Sequence, residues 1–202
     1  MEQFFRQVLG LKDAQLIQTL ASISRREVVK KGELLFRAGE RHDCIYFLKS
    51  GIVCGMILSA DGQLLTDCIA FLPGELIMPS DFLPQGGALH MDMSAYYSAE
   101  VIEDSALFRL PVAAAREMLA NTPEAVQLQN RLLIYWTERH WQLKLAKQQM
   151  PALERYQWFL KQYPGLIDRI PNKYIASFLG MTPVTLSRLR RNLRGPEQTQ
   201  RG

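Results

Sequence analysis

Residues 124–149 run for 26 positions without a glycine or proline. A stretch of that length is a predicted helix, about 40 Å long at a rise of about 1.5 Å per residue. Thr122-Pro123-Glu124 opens it and Met150-Pro151 ends it. Val126, Leu133, Trp136 and Leu143 follow one another near heptad spacing, while Leu128, Leu132 and Tyr135 stand on another face. The helix is longer than a small sandwich needs for cover. A dimer helix is therefore expected, one face on its own domain and the other on a second copy.

Before this helix the texture is that of a β protein. Residues 2–22 read as short helices around Phe5, Val8, Leu9, Leu16, Ile17 and Leu20. From Val28 to Leu110, short apolar or β-branched runs alternate with glycine-bearing turns, including Lys31-Gly32, Ala38-Gly39, Ser50-Gly51, Asp61-Gly62 and Pro73-Gly74. Many short strands at this spacing predict an antiparallel sandwich or barrel. Asp61-Gly62 marks a hairpin. Pro111 then starts a short helix that Asn121 ends.

The apolar runs are too short to span a bilayer, and the first residues lack the layout of a signal peptide. Three cysteines make an odd, small set, so a reducing cytoplasm is expected, with no membrane association. Cys44, Cys54 and Cys68 fall in predicted strands and read as structural thiols. His42, His90 and His140 lie far apart, so neither a metal centre nor any other cofactor is expected. No nucleophile motif gathers the Asp, His and Ser residues present, and an enzyme is not expected.

Charge separates the two ends of the chain. Residues 1–150 carry 15 Lys and Arg against 17 Asp and Glu, whereas residues 151–202 carry 9 against 3. Between Asn172 and Gly195 lie Lys173, Arg188, Arg190, Arg191 and Arg194, with no acid. Such a patch favours a polyanion, chiefly nucleic acid. A solvated helical face would look the same by charge alone, so spacing must decide. Gly180 sits where a tight interhelical turn needs a positive φ, and Ala176 is small, as a close crossing requires. Ile175, Leu179, Met181, Leu186 and Leu189 fall at positions that bury two helices against each other. Thr182 is placed to cap the second helix and Pro183 to occupy its first turn. Leu186, Leu189 and Leu193 share one face; Val184, Ser187, Arg188 and Arg191 share the other, with Thr185 beside them. This is the pattern of a helix-turn-helix, whose second helix enters the major groove of double-stranded DNA. Arg188 suits guanine O6 and N7, and Thr185 or Val184 a thymine methyl. Lys173, Arg190, Arg191 and Arg194 suit phosphates.

The glycine-punctuated strands, the segment Phe71-Leu72-Pro73-Gly74-Glu75-Leu76, the long helix and the terminal helix-turn-helix resemble the Crp–Fnr transcription regulators. The segments from Glu154-Arg155-Tyr156 to Ile175-Ala176 and from Thr182-Pro183 to Arg188 are similar to a short-tailed branch of them without a known effector. The resemblance covers about residues 10–194. It implies an α+β chain: a cyclic-nucleotide-binding-like β jelly roll, a long dimerisation helix, and a C-terminal all-α helix-turn-helix domain. The expected boundaries are 1–121, 122–150 and 151–195, with a tail over 196–202. It also implies a homodimer on a two-fold operator, a possible small-molecule effector, and RNA polymerase as partner if the protein activates.

Three departures limit what the resemblance carries over. Members that bind cyclic AMP place an arginine before a Ser or Thr in the phosphate cassette; here that pair is Met93-Ser94. No Lys or Arg occurs between Ser50 and Phe108, so a buried phosphate would lack its charge-assisted partner. Gly74 and Glu75 then read as a turn and a helix-start acid. Gly74, Glu75, Met93, Ser94 and Tyr96 remain the effector-site candidates, for a neutral, apolar or cationic ligand. Val184 stands where many relatives carry an acid that reads DNA. Only nine residues follow Leu193, too few for the β-hairpin wing of longer members. The competing expectation is a sensor that docks its basic end on an acidic protein.

Overall fold

The glycine punctuation of residues 28–110 resolves into antiparallel strands. The computed structural model describes residues 1–79, 82–85, 88–91 and 95–194, with 82–85, 88–91 and 194 described by backbone alone. Two short helices come first, α1 (Glu2–Gln7) and α2 (Ala14–Ile23). The strands are β1 (Arg25–Val29), β2 (Leu34–Phe36), β3 (Cys44–Leu58), β4 (Leu64–Ala70), β5 (Leu76–Ile77), β6 (Phe82–Gln85), β7 (Ala88–Met91) and β8 (Ser98–Pro111). One sheet runs β1-β8-β3-β4, with β2 also on β8 and β5 also on β3; β6 and β7 pair separately. Every pairing is antiparallel, as a jelly-roll-like fold requires.

The predicted hairpin is present: Ser59 N donates to Gln63 O at 2.9 Å, and Gly62 adopts φ +83° between β3 and β4. The break expected at Ser50-Gly51 is absent, because β3 runs through it for 15 residues. Gly51 adopts φ +104°, and a Cβ there would lie 2.6 Å from the Ser105 Cα. The glycine thus lets β3 bulge against β8 without leaving the sheet. The turn at Gly74 returns the chain to β3, where Gly74 N donates to Leu48 O at 2.8 Å. Glu75 is followed by the two-residue β5, not by a helix, so the expectation of a helix-start acid is wrong.

Alternation along β3 divides the core. Ile45 and Phe47 face a cluster with Phe4, Phe5, Ile17, Leu20, Phe108 and Leu110. Tyr46 and Leu48 face a second one, with Phe36, Val53, Val101 and Leu107. The first cluster is closed by α3 (Val112–Asn121) and by the beginning of α4 (Pro123–Gln149), which contribute Val112, Ala115, Ala125 and Leu128. Polar contacts hold α4 to the N-terminal segment. The Glu124 carboxylate accepts from Lys12 N at 2.8 Å and Asp13 N at 2.7 Å, and Arg131 Nη2 donates to Leu9 O at 2.9 Å. Leu132 packs against the same cluster. The face of α4 holding Leu128, Leu132 and Tyr135 therefore meets its own domain.

The chain divides into two compact units, Met1–Thr137 and Glu138–Gly202, and the division falls inside α4. In the second unit α4 is followed by α5 (Ala152–Gln162), a 3-10 turn (Leu166–Asp168), α6 (Asn172–Phe178) and α7 (Pro183–Arg194). Its core is aromatic: Phe159 stacks on Tyr163 at 4.9 Å between centroids, and Phe178 meets Tyr163 edge-on at 5.3 Å. The Arg139 guanidinium lies 4.4 Å from the Tyr163 ring centre. Leu143, on the other apolar seam of α4, is buried. Among the described residues no helix is long and apolar enough to cross a membrane.

Candidate nucleic-acid interface

Two helices and the turn between them make the candidate interface. α6 ends at Phe178 with Leu179 as its C-cap, and Gly180 reverses the chain at φ +63°. A Cβ at Gly180 would meet nothing closer than 3.8 Å, so conformation alone calls for glycine there. Met181 N donates to Ala176 O at 2.9 Å, which closes the turn over the smallest side chain of α6. The Thr182 hydroxyl accepts from Thr185 N at 3.1 Å and so caps α7. Ile175, Ala176, Leu179 and Leu186 are buried at the crossing, and Met181 and Leu189 are half-buried. Leu193 departs from the expected apolar stripe: it is 45% exposed, so the buried face of α7 stops at Leu189.

The opposite face of α7 points to solvent. Val184, Ser187, Arg188 and Arg191 are all exposed. They fall at i, i+3, i+4 and i+7, one stripe of a helix. Arg188 and Arg191 form no hydrogen bond or ion pair with the described residues. Lys173 is exposed on α6, its Nζ 4.7 Å from the Tyr174 ring centre. Pro183 is exposed at the first position of α7. The side chain of Arg194 lies outside the described residues.

Arg190 departs from its expected place among the outward cations. Its Nη1 donates to Asn172 Oδ1 at 2.6 Å and to Ile167 O at 3.2 Å, and its Nη2 reaches Asp168 Oδ1 at 3.0 Å. Asn172 Nδ2 also lies 3.5 Å from Ser187 Oγ. The guanidinium ties α7 to the 3-10 turn and to the start of α6, so its charge is spent on the fold. Sequence reading also missed Arg155. Its Nη1 donates to Lys147 O at 3.1 Å and Met150 O at 3.2 Å, which satisfies orphan carbonyls at the end of α4. Its Nη2 lies 3.5 Å from Gly180 O in the interhelical turn. A basic residue a few positions beyond a helix end was the one local signal for it.

Of the effector-site candidates, Gly74, Glu75 and Tyr96 lie among the described residues. Glu75 is 5% exposed, and its Oε2 accepts from Phe71 N at 2.5 Å and Leu72 N at 2.8 Å. Its Oε1 accepts from the Tyr135 hydroxyl of α4. Three of this chain's own donors thus occupy its two oxygens, and Gly74 shapes the turn that places it there. Tyr96 is exposed. Met93 and Ser94 lie outside the described residues. Cys44 and Cys54 are buried and Cys68 is half-buried, all three as free thiols. Burial pushes the Cys54 thiol well above its ordinary pKa. Among the described residues no three His, Cys, Asp or Glu side chains converge as a metal site.

The cyclic nucleotide-binding domain family matches residues 26–122, the sheet and the helix after it. The regulatory protein HlyX of Actinobacillus pleuropneumoniae is 26% identical over 191 residues, which cover 89% of this chain and 75% of that protein. The match therefore extends through α4 and into the helix-turn-helix. In sequence the chain is thus similar to bacterial transcription regulators of the Crp–Fnr type over most of its length. The transcriptional activator protein Anr of Pseudomonas protegens is 27% identical over 154 residues, 75% of this chain and 58% of that one. Solved structures share the fold. FixK2 from Bradyrhizobium japonicum superposes with a TM-score of 0.70 at 19% identity, covering 85% of each chain. A Crp/Fnr-family regulator from Eubacterium rectale gives a TM-score of 0.70 at 17% identity, covering 95% of this chain and 88% of that one. The turns at Gly62 and Gly180 and the Thr182 cap were legible in the sequence. The internal partners of Glu75 and Arg190 were not.

Proposed function

We propose that this chain is a Crp–Fnr regulator that binds its operator as a homodimer and presents two copies of α7 to successive major grooves, about 34 Å apart. The observation that carries this reading is the outward stripe of α7, with Arg188 and Arg191 exposed and unpaired by the described residues. Arg188 reads guanine through its two-pronged guanidinium, while Lys173, Arg191 and Arg194 bind phosphates and set the register. Arg190 is assigned to the scaffold instead. The dimer forms along α4, where Ile134 is 59% exposed and the neighbouring Leu133 and Trp136 are half-buried.

Cyclic AMP is not the effector in this reading. The Glu75 carboxylate is occupied by Phe71, Leu72 and Tyr135, and no Lys or Arg occurs from Ser50 to Phe108 to meet a phosphate. An effector, where one acts, is neutral, apolar or cationic. It shifts the population of DNA-ready dimers rather than touching DNA.

Selection of bound fragments from random DNA tests the reading. A recovered two-fold site, with binding that falls steeply as salt rises, is the expected outcome. Binding that prefers no sequence, or that is indifferent to Arg188→Ala, overturns it. Sedimentation tests the dimer, and a monomer at micromolar concentration overturns that part. A shift of several degrees in melting temperature with micromolar cyclic AMP or cyclic GMP overturns the effector assignment.

A further inference from the structure

We infer that Val184 is a specificity residue that reads the 5-methyl group of a pyrimidine, within about two base-pair steps of the guanine read by Arg188; this rests on α7 as the DNA-facing helix. Val184 is 68% exposed in the first turn of α7, on a stripe otherwise made of Ser187, Arg188 and Arg191. A branched apolar side chain gains nothing from water there, and it offers no hydrogen bond to a base edge or a phosphate. The one apolar feature of the major-groove edge is the thymine methyl, which apolar side chains contact.

Thr185, the other candidate for that methyl, is engaged elsewhere. Its hydroxyl lies 2.9 Å from the Thr182 hydroxyl and its amide donates to the same oxygen, so the residue is folded into the cap and half-buried. Val184 and Arg188 are four residues apart on one face, about 6 Å along the helix at about 1.5 Å per residue. With base pairs about 3.4 Å apart, the methyl lies within about two steps of the guanine. The carboxylate that many relatives carry at this position would accept a hydrogen bond from cytosine N4. Valine cannot, so the half-site changes from an amino group read by an acid to a methyl group read by apolar contact.

The test uses the full chain and the operator recovered by selection, with bases replaced one at a time. Replacing the critical thymine by 2′-deoxyuridine removes one methyl and leaves every hydrogen-bonding group. Wild-type protein is expected to lose about four-fold in affinity per half-site, the worth of one buried methyl. Val184→Ala is expected to bind the two operators equally. Cytosine at that position weakens binding, and 5-methylcytosine restores part of it. Equal affinity for thymine and deoxyuridine at every position, on an operator that is still bound selectively, overturns the inference and leaves the DNA-binding reading intact. So does a Val184→Ala protein that keeps the full discrimination. Loss of all sequence preference in the wild type overturns both.

Discussion

Tyr135 of the long helix donates its hydroxyl to Glu75, the buried carboxylate at the turn into β5. The two residues are 60 positions apart, and the same carboxylate holds the amides of Phe71 and Leu72. The turn and the helix are therefore joined by one side chain that water barely reaches. Removing the phenol leaves that group short of a donor. Tyr135→Phe is expected to lower stability by about 1–3 kcal/mol, with the ring's packing kept. Urea denaturation measures it, and a midpoint equal to wild type would show that the bond contributes nothing.

Arg188 and Arg191 differ in what they should cost. Arg188→Ala is expected to weaken operator binding by about 1–3 kcal/mol and to relax preference at one base pair. Arg191→Ala should weaken all DNA about equally and reduce the salt dependence by about one counterion. Gel-shift titrations on operator and scrambled DNA separate the two. Even losses on every sequence for both variants would refute Arg188 as a base reader.

Arg190 should behave as a structural residue. Its guanidinium bonds Asn172, Ile167 O and Asp168, so Arg190→Ala strands several acceptors. A loss of about 2 kcal/mol in stability is expected, in line with charged hydrogen bonds. Asp168→Asn should cost less, because Asp168 is largely exposed. Unchanged melting of Arg190→Ala together with weakened DNA binding would return this arginine to the phosphate contacts.

Gly180 tests the turn itself. With φ +63° and open space around it, Gly180→Ala carries only the backbone penalty, about 1–2 kcal/mol. Gly180→Asn should cost less than alanine, since asparagine tolerates this conformation better. Thermal melting of the pair checks the ordering.

Acid should loosen the sheet through His42. Its Nε2 lies 2.9 Å from the Tyr46 hydroxyl and its ring stacks on Tyr46. Burial holds the imidazole below its ordinary pKa of 6.5; Asp43 pulls it back up and Arg109 adds to the lowering. The unfolded chain therefore binds the proton more readily than the folded one. Stability is full above the ordinary histidine range and is lost as pH falls through it. Melting temperature followed from pH 7.5 downward should drop less steeply for His42→Gln than for wild type. Parallel curves would remove His42 from the account.

Much of this molecule is decided by features a few residues long. The 26-residue run without glycine or proline dictates α4, Asp61-Gly62 dictates a hairpin, and Thr182-Pro183 dictates the start of α7. Caps, turns and helical periodicity act over one to four residues, so the chain carries them in its local order. Gly51 shows where that order misleads: the same glycine serves a turn or a bulge, and only the approach of Ser105 on β8 selects the bulge. The roles of like residues were settled in the same way. Arg188 and Arg190 are two positions apart and chemically identical, yet one is outward and the other is bound to Asp168, 22 residues upstream. Glu75 read locally as the first acid of a helix, and Tyr135 makes it an internal tie. An ionised group goes where its desolvation is best offset, and the partners that offset it come from parts of the chain that only folding brings within about 3 Å.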